Sequence, residues 1–401
     1  MTFVGFFASG DERKLVLVMS AVVFVDTMFY AAIAPLLPSL AAQLHLSKLS
    51  AGVMTAGYPV GTLAGALPGG ILATRAGPKL TVCAGLALLA ASTLAFGLLA
   101  DAVLLDAARF VEGVGGACSW AGALTWIIAR SQAERRGALI GNVLGAAIAG
   151  ALFGPLVGTA ASVLGRAPAF TAVVVLAVGL IDQARRLPGV AAGSQQGLGD
   201  LGRAVRHRAM AAAMWLVALP AIASGTINVL APLRLHRLGA GAAAIGATFL
   251  AATAIEAAMS PAIGGLSDRR GRLIPVRFGL AGATVLLLCF TLPRSPLLLG
   301  ALVVAIVAAL GAFWAPAMAL LSDHAARSGL DQALAAALMN LAWAVGQVVG
   351  SGGGGAVAKA AGDGLPVWST AALCGATLVL LAGARAPGGR PVREGEESAA
   401  R

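Results

Sequence analysis

Gly70-Ile-Leu-Ala-Thr-Arg75-Ala-Gly77-Pro-Lys79 and Gly264-Gly-Leu-Ser-Asp268-Arg269-Arg-Gly271-Arg272 are one loop written twice, about half the chain length apart. Each copy follows an apolar run and precedes another. A short charged hairpin between two membrane-length segments, once per half, reads as a duplicated helical membrane bundle.

Composition agrees. Of 401 residues, 59% are hydrophobic and only 11% charged, and 53 are glycine. A soluble domain carries about 25% charged residues. In lipid only helices and closed barrels satisfy their own backbone, and no run here alternates as barrel strands do. The predicted fold is therefore an all-α polytopic membrane protein. Helices of about 20 apolar residues cross a bilayer. Such stretches fall at 14–38, 49–73, 79–100, 102–129, 137–163, 168–187, 209–234, 242–266, 273–293, 296–321, 333–358 and 365–385, twelve spans in two six-helix bundles. The links at 101 and 295 are the shortest boundaries. Pro35 and Pro38 follow the first span too closely for a cleaved leader.

Residues 1–187 are predicted as the N-terminal bundle, 188–208 as a Gly-rich cytoplasmic linker, 209–386 as the C-terminal bundle and 387–401 as a polar, disordered tail. Basic residues orient the chain. With the N-terminus inside, 21 of the 28 Lys and Arg are cytoplasmic, six are outside, and Arg109 lies within a span. Both termini are then cytoplasmic, in a cell membrane.

The net charge of +11 is explained by these short loops beside anionic headgroups. It has no aromatic-interleaved basic stripe, so nucleic acid is not an expected partner. Cys83, Cys118, Cys289 and Cys374 are dispersed within spans and read as packing residues. His45, His207, His236 and His324 lack metal-ligand spacing, so neither metal nor cofactor is expected. No nucleophile–base set or nucleotide loop suggests an enzyme.

The doubled loop resembles the signature between spans 2 and 3, and 8 and 9, of the Major Facilitator Superfamily. The second copy is nearly complete. The first has Thr74 and Pro78 where the family has Asp and Arg, which puts a charge-paired latch in that half in doubt. The resemblance implies a gating role for Gly70, Arg75, Gly77, Lys79, Gly264, Asp268, Arg269, Gly271 and Arg272. Physically, Asp268 can meet Arg269 or a facing helix end. In span 5, Gly150-x-x-x-Gly154-Pro155-x-x-Gly158-Thr159 is similar to the motif of proton-coupled antiporters in that superfamily, with Thr159 replacing a glycine. Small residues there permit close helix approach, and the proline bends the helix; Gly154 and Pro155 are expected against a C-half helix, span 8. Arg109-Phe-Val-Glu112-Gly113 in span 4 resembles the family's Arg-x-x-Gln-Gly pattern, with Glu112 in place of Gln. Asp26-Thr-Met-Phe-Tyr30-(x4)-Pro35-Leu-Leu-Pro38 in span 1 is similar to the drug:proton antiporter branch that also includes the vesicular amine transporters.

Charges that lipid disfavours carry the chemistry. At a rise of 1.5 Å per residue, Asp26 lies roughly 18 Å past Lys14, and Glu256 is as far from Asp268. Glu112 and Arg109 lie one turn apart in span 4. Each charge at mid-membrane costs at least about 2.5–3.5 kcal/mol, so all four are expected to face a cavity or one another, with Arg109 pointing into the cavity. Asp26 with Arg109, or Glu112 with Arg109, could instead be a permanent structural pair. Glu256 has no obvious partner.

Asn340, Trp343 and Gln347 share one stripe of span 11, and Ser224 and Asn228 share one of span 7. With Tyr30, one turn from Asp26, the residues Asn228, Asn340, Trp343 and Gln347 form the predicted substrate cavity. Tyr58, Trp120, Trp126 and Phe249 are further candidates. Aromatic faces with carboxylates suit cations. The expectation is a monomeric secondary transporter with a midplane site that exports small amphipathic or cationic compounds in exchange for protons. A proton symporter or uniporter for a sugar or organic acid is the alternative, and a membrane receptor or scaffold that moves nothing is the alternative of another class.

Overall fold

The computed structural model describes residues 10–131, 133–190, 207–330 and 332–383. All regular structure among these residues is helical, and it forms twelve spans. Span 1 is Gly10–Gln43, span 2 Lys48–Arg75, span 3 Pro78–Leu98, span 4 Ala102–Arg130, span 5 Ala133–Leu164 and span 6 Arg166–Arg186. Span 7 is Arg208–Arg237, span 8 Ala242–Arg270, span 9 Leu273–Leu288 with a 3-10 turn Cys289–Thr291, and span 10 Pro296–Arg327. Span 11 joins Gln332–Val348, a π turn Val349–Gly353 and Gly354–Ala361, and span 12 is Gly364–Gly383. The stretch 191–206 and the tail from 384 lie outside the described residues, so the predicted linker is seen only at its edges.

Local chemistry sets the breaks. Pro35 has no N–H for the carbonyl four residues back, and span 1 is interrupted at Ala32. The short links at 101 and 295 are real boundaries: Asp101 and Ser295 cap spans 4 and 10 by accepting the N–H of Leu104 and Leu298. Among the described residues, nine spans are long and apolar enough to cross a membrane by composition. The other three are the glycine-rich span 2, span 4 with Asp106, Arg109 and Glu112, and the interrupted span 11. These three stand beside the interface between the halves.

Each half has its own core. In the N-half, Phe29, Phe96 and Phe170 meet edge to face at 5.0–6.0 Å; in the C-half, Phe290 and Phe313 are fully buried. Such aromatic contacts contribute about 0.5–1.5 kcal/mol beyond area burial. Glycine brings spans 2 and 4 into backbone contact, since a Cβ at Gly113 would lie 1.9 Å from the Tyr58 carbonyl oxygen.

With twelve crossings, both copies of the repeated loop fall on the face that carries residues 10 and 383. They share a backbone conformation that favours glycine, φ +91° at Gly77 and +90° at Gly271.

Candidate functional site

A cavity of about 690 Å³ lies between the halves and runs from mid-depth toward the termini face. Tyr30, Tyr58, Thr62 and Trp120 form its N-half wall. Glu256, Ser260, Trp314, Met318, Asn340 and Trp343 form the C-half wall. At its closed end, Tyr30, Tyr58 and Trp343 touch one another across the halves, with ring centroids 4.7, 5.5 and 6.3 Å apart.

Three charged residues lie behind the N-half wall. Asp26 is fully buried, and its Oδ2 accepts hydrogen bonds from the Tyr58 hydroxyl at 2.9 Å and the Trp120 indole N–H at 3.0 Å. Its Oδ1 has no hydrogen-bond partner among the described residues. Arg109 donates to Glu112 at 2.8 Å, and both side chains are buried. The expectation that Arg109 points into the cavity fails. Its guanidinium sits 5.9 Å from the Tyr30 ring centroid and 5.5 Å from that of Tyr58, and both rings stand between it and the cavity. The cation is held by π faces and one carboxylate, and Glu112, not Asp26, is its ion-pair partner.

Glu256 faces the cavity from span 8 and has no hydrogen-bond or ion-pair partner among the described residues. Gly311 of span 10 makes room for it, since a Cβ there would fall 2.6 Å from the Glu256 Cγ.

Of the predicted cavity residues, Tyr30, Asn340 and Trp343 line it. Asn228 does not. Gln347 is buried and donates to the Ser224 hydroxyl at 3.0 Å, which ties span 11 to span 7. Trp126 and Phe249 are core residues. Trp314 and Met318 were missed, although Gly311, Trp314 and Met318 recur at helical spacing on one face of span 10.

The span 5 motif divides its contacts. Gly150, Gly154 and Gly158 pack on span 1 of their own half, with a Gly154 Cβ 2.5 Å from the Ala31 Cβ. The expected place of Gly154 against span 8 is therefore wrong, because the ladder of small residues turns toward span 1. The expected meeting of Pro155 with span 8 is found, and Thr159 joins it there. A Cβ at Gly246 would lie 3.3 Å from the Pro155 carbonyl oxygen and 1.9 Å from the Thr159 Oγ1.

In the repeated loops Asp268 pairs with Arg272 at 2.5 Å, not with Arg269, because Arg272 stands one turn on; Arg272 also reaches Asp323 of span 10 at 3.4 Å. In the first copy Thr74 bonds its own helix at the Ile71 carbonyl and Lys79 donates to the Leu187 carbonyl at 2.8 Å. Arg75 and Arg269 are exposed, and a Cβ at Gly70 or Gly264 would meet nothing.

The face opposite the termini is shut. Lys48 lies 2.5 Å from Asp363, and Arg237 also pairs with that carboxylate. Beneath them spans 2 and 11 touch through their backbones, with a Gly52 Cβ 2.5 Å from the Ser351 carbonyl oxygen. Burial alone would raise the Asp363 carboxyl, but hydrogen bonds from Lys48 and Arg237 hold it below its ordinary value. Among the described residues, no group of His, Cys, Asp and Glu could hold a metal ion.

Twelve helices in two bundles around a central cavity define a multi-pass membrane protein of the transporter type. The family model of the Major Facilitator Superfamily matches residues 19–220 and 209–401, and the chain belongs to that family. Its fold is similar to that of a bacterial homolog of the human lysosomal transporter Spinster, in an inward-facing and unoccupied conformation. The TM-score is 0.74 at 14% identity, covering 94% of this chain and 96% of that one. It is also similar to a D-xylose–proton symporter, with a TM-score of 0.74 at 17% identity over 92% of this chain and 97% of that one. No curated protein sequence matches the chain.

Proposed function

We propose that this protein is a proton-coupled antiporter that exports small amphipathic or cationic compounds. The observation that carries the reading is Glu256, a carboxylate without a partner among the described residues, on the wall of a cavity edged by Trp120, Trp314, Trp343, Tyr30 and Tyr58. A carboxylate with no fixed cation can exchange a proton for a cationic ligand, and aromatic faces attract the same ligand. Glu256 then carries the exchangeable charge, while Asp26, Arg109 and Glu112 set the charge of the facing wall. The repeated loops gate the termini face, which the basic residues assign to the cytoplasm of a cell membrane. The working unit is one chain, 1–187 and 209–386 being its two bundles.

The test is the direction of proton movement. Purified protein in sealed vesicles carrying a luminal pH dye is given tetraphenylphosphonium outside. Antiport raises luminal pH as the cation enters; symport lowers it. Glu256→Gln, which mimics the protonated acid, should keep downhill exchange and lose pH-driven accumulation. Accumulation with unchanged pH dependence would overturn the assignment of Glu256.

A further inference from the structure

We infer that Asp26 is a positioning residue: its carboxylate pins the Tyr58 and Trp120 rings into a fixed aromatic wall, and so sets which ring-bearing molecules the cavity accepts without touching them. The inference rests on the reading that the cavity binds such cations.

Asp26 is not part of the cavity surface, whereas Tyr58 and Trp120 are. One oxygen, Oδ2, takes both the Tyr58 O–H and the Trp120 N–H, so a single atom of span 1 fixes the tips of rings carried by spans 2 and 4. An indole N–H can only donate, and the Asp26 Oδ2 is the acceptor that the fold gives it. Span 4 seals the arrangement. A Cβ at Gly116 would fall 2.7 Å from the Asp26 Oδ1 and 2.6 Å from the Tyr58 hydroxyl. No ligand atom fits between this backbone and the carboxylate.

The clamp reaches further through Tyr58. Its ring touches Tyr30 and Trp343 and covers Arg109, so its orientation also fixes the aromatic contact between the halves. Ring–ring and ring–cation attraction depend on mutual orientation, and a pinned wall discriminates by ligand shape where a loose one does not. Asp26 thus acts on the ligand through two rings, while Glu256 acts on it directly.

The experiment compares Asp26→Ala in the wild-type chain with Asp26→Ala in a Tyr58→Phe/Trp120→Phe chain, where rings remain but both donors are gone. The first readout is tetraphenylphosphonium affinity of the purified, detergent-solubilised protein. Asp26→Ala should weaken binding about tenfold in the wild-type chain, the effect of losing charge-assisted hydrogen bonds, and less than about twofold in the double variant. Equal losses in both backgrounds would overturn the inference, because Asp26 would then act on the ligand itself. The second readout needs no ligand. In protein labelled with 5-fluorotryptophan, the 19F resonance missing from Trp120→Phe identifies Trp120. It should shift and broaden in Asp26→Ala; an unmoved resonance would also overturn the inference. If Asp26→Ala does not fold, Asp26→Asn keeps the volume and should give a smaller shift of the same resonance. Wild-type protein that ignores tetraphenylphosphonium would count against the cation reading alone, with the fluorine spectrum still deciding the clamp.

Discussion

The Lys48 ammonium lies 2.5 Å from the Asp363 carboxylate, which ties the start of span 2 to the turn between spans 11 and 12. Lys48 also donates to the Ala358 carbonyl at 3.5 Å, and Arg237 shares the same acid. One acid thus collects cations from both halves at the face opposite the termini.

Removing that acid should open the face. Asp363→Asn is expected to raise the labelling rate of a cysteine at Ser351, just beneath the latch, by a membrane-impermeant maleimide applied from that side. Acid should act the same way only at extremes. Because the Asp363 carboxyl is held below its ordinary 3.8, the latch is complete above that pH and is lost as pH falls through the lowered value. Labelling of Ser351→Cys, divided by that of an exposed control cysteine to remove the loss of thiolate with acid, should therefore stay flat from neutral pH down to about 4.

Gly52→Ala should weaken the same closure without altering charge. Its Cβ would sit 2.5 Å from the Ser351 carbonyl oxygen, whereas one at Gly264 meets nothing within 4 Å. Labelling at Ser351 should rise in Gly52→Ala and stay at the parental rate in Gly264→Ala.

The crossing of spans 5 and 8 predicts a rescue. Gly246→Ala presses on the Thr159 Oγ1 and should lower thermal stability by about 1–3 kcal/mol, the usual cost of overpacking. Thr159→Ala in the same chain removes that oxygen and should restore most of the loss, as read by the melting temperature of detergent-solubilised protein. Gly154→Leu, by contrast, should damage packing within the N-half, and Thr159→Ala should not help it.

Arg109→Ala leaves Glu112 buried without its cation and should cost about 3–5 kcal/mol. Replacing both, Arg109→Met with Glu112→Leu, should return much of the stability, since a buried pair can be exchanged for apolar residues at little cost. Transport should be lost in both. A double variant that transports normally would show that the pair serves folding only.

Much of the fold was legible because the bilayer imposes a coarse rule on composition. Apolar length gave twelve spans, and the loop repeated at Gly70 and Gly264 gave their grouping. The four charges within spans were legible for the same reason: lipid makes each of them conspicuous. Their partners were not. Asp26 takes donors from spans 2 and 4, and a hydrogen bond between residues 26 and 120 leaves no periodic mark. Spacing did suggest Arg109 with Glu112, because they lie three apart on one helix. Asp363 stayed hidden because a carboxylate in an ordinary loop has no cost to reveal it; its meaning comes only from Lys48, 315 residues away. Gly154 misled because a run of small residues shows that a helix is approached closely and not by which neighbour.

The seal beneath Lys48 and Asp363 is glycine against backbone, and such surfaces have nothing to interlock. Side chains hold the halves elsewhere, with Ala34, Leu37 and Ala51 buried among C-half residues and Tyr30 and Tyr58 against Trp343, so Lys48 with Asp363 is the part of this closure that dissolved salt can reach. Lys48 keeps 29% of its side chain exposed there, within reach of dissolved counterions. Low ionic strength should favour the closed face, and concentrated salt, where screening shortens to about 3 Å, should loosen it. The closure of this face should therefore answer to the salt on its far side as well as to its own sequence.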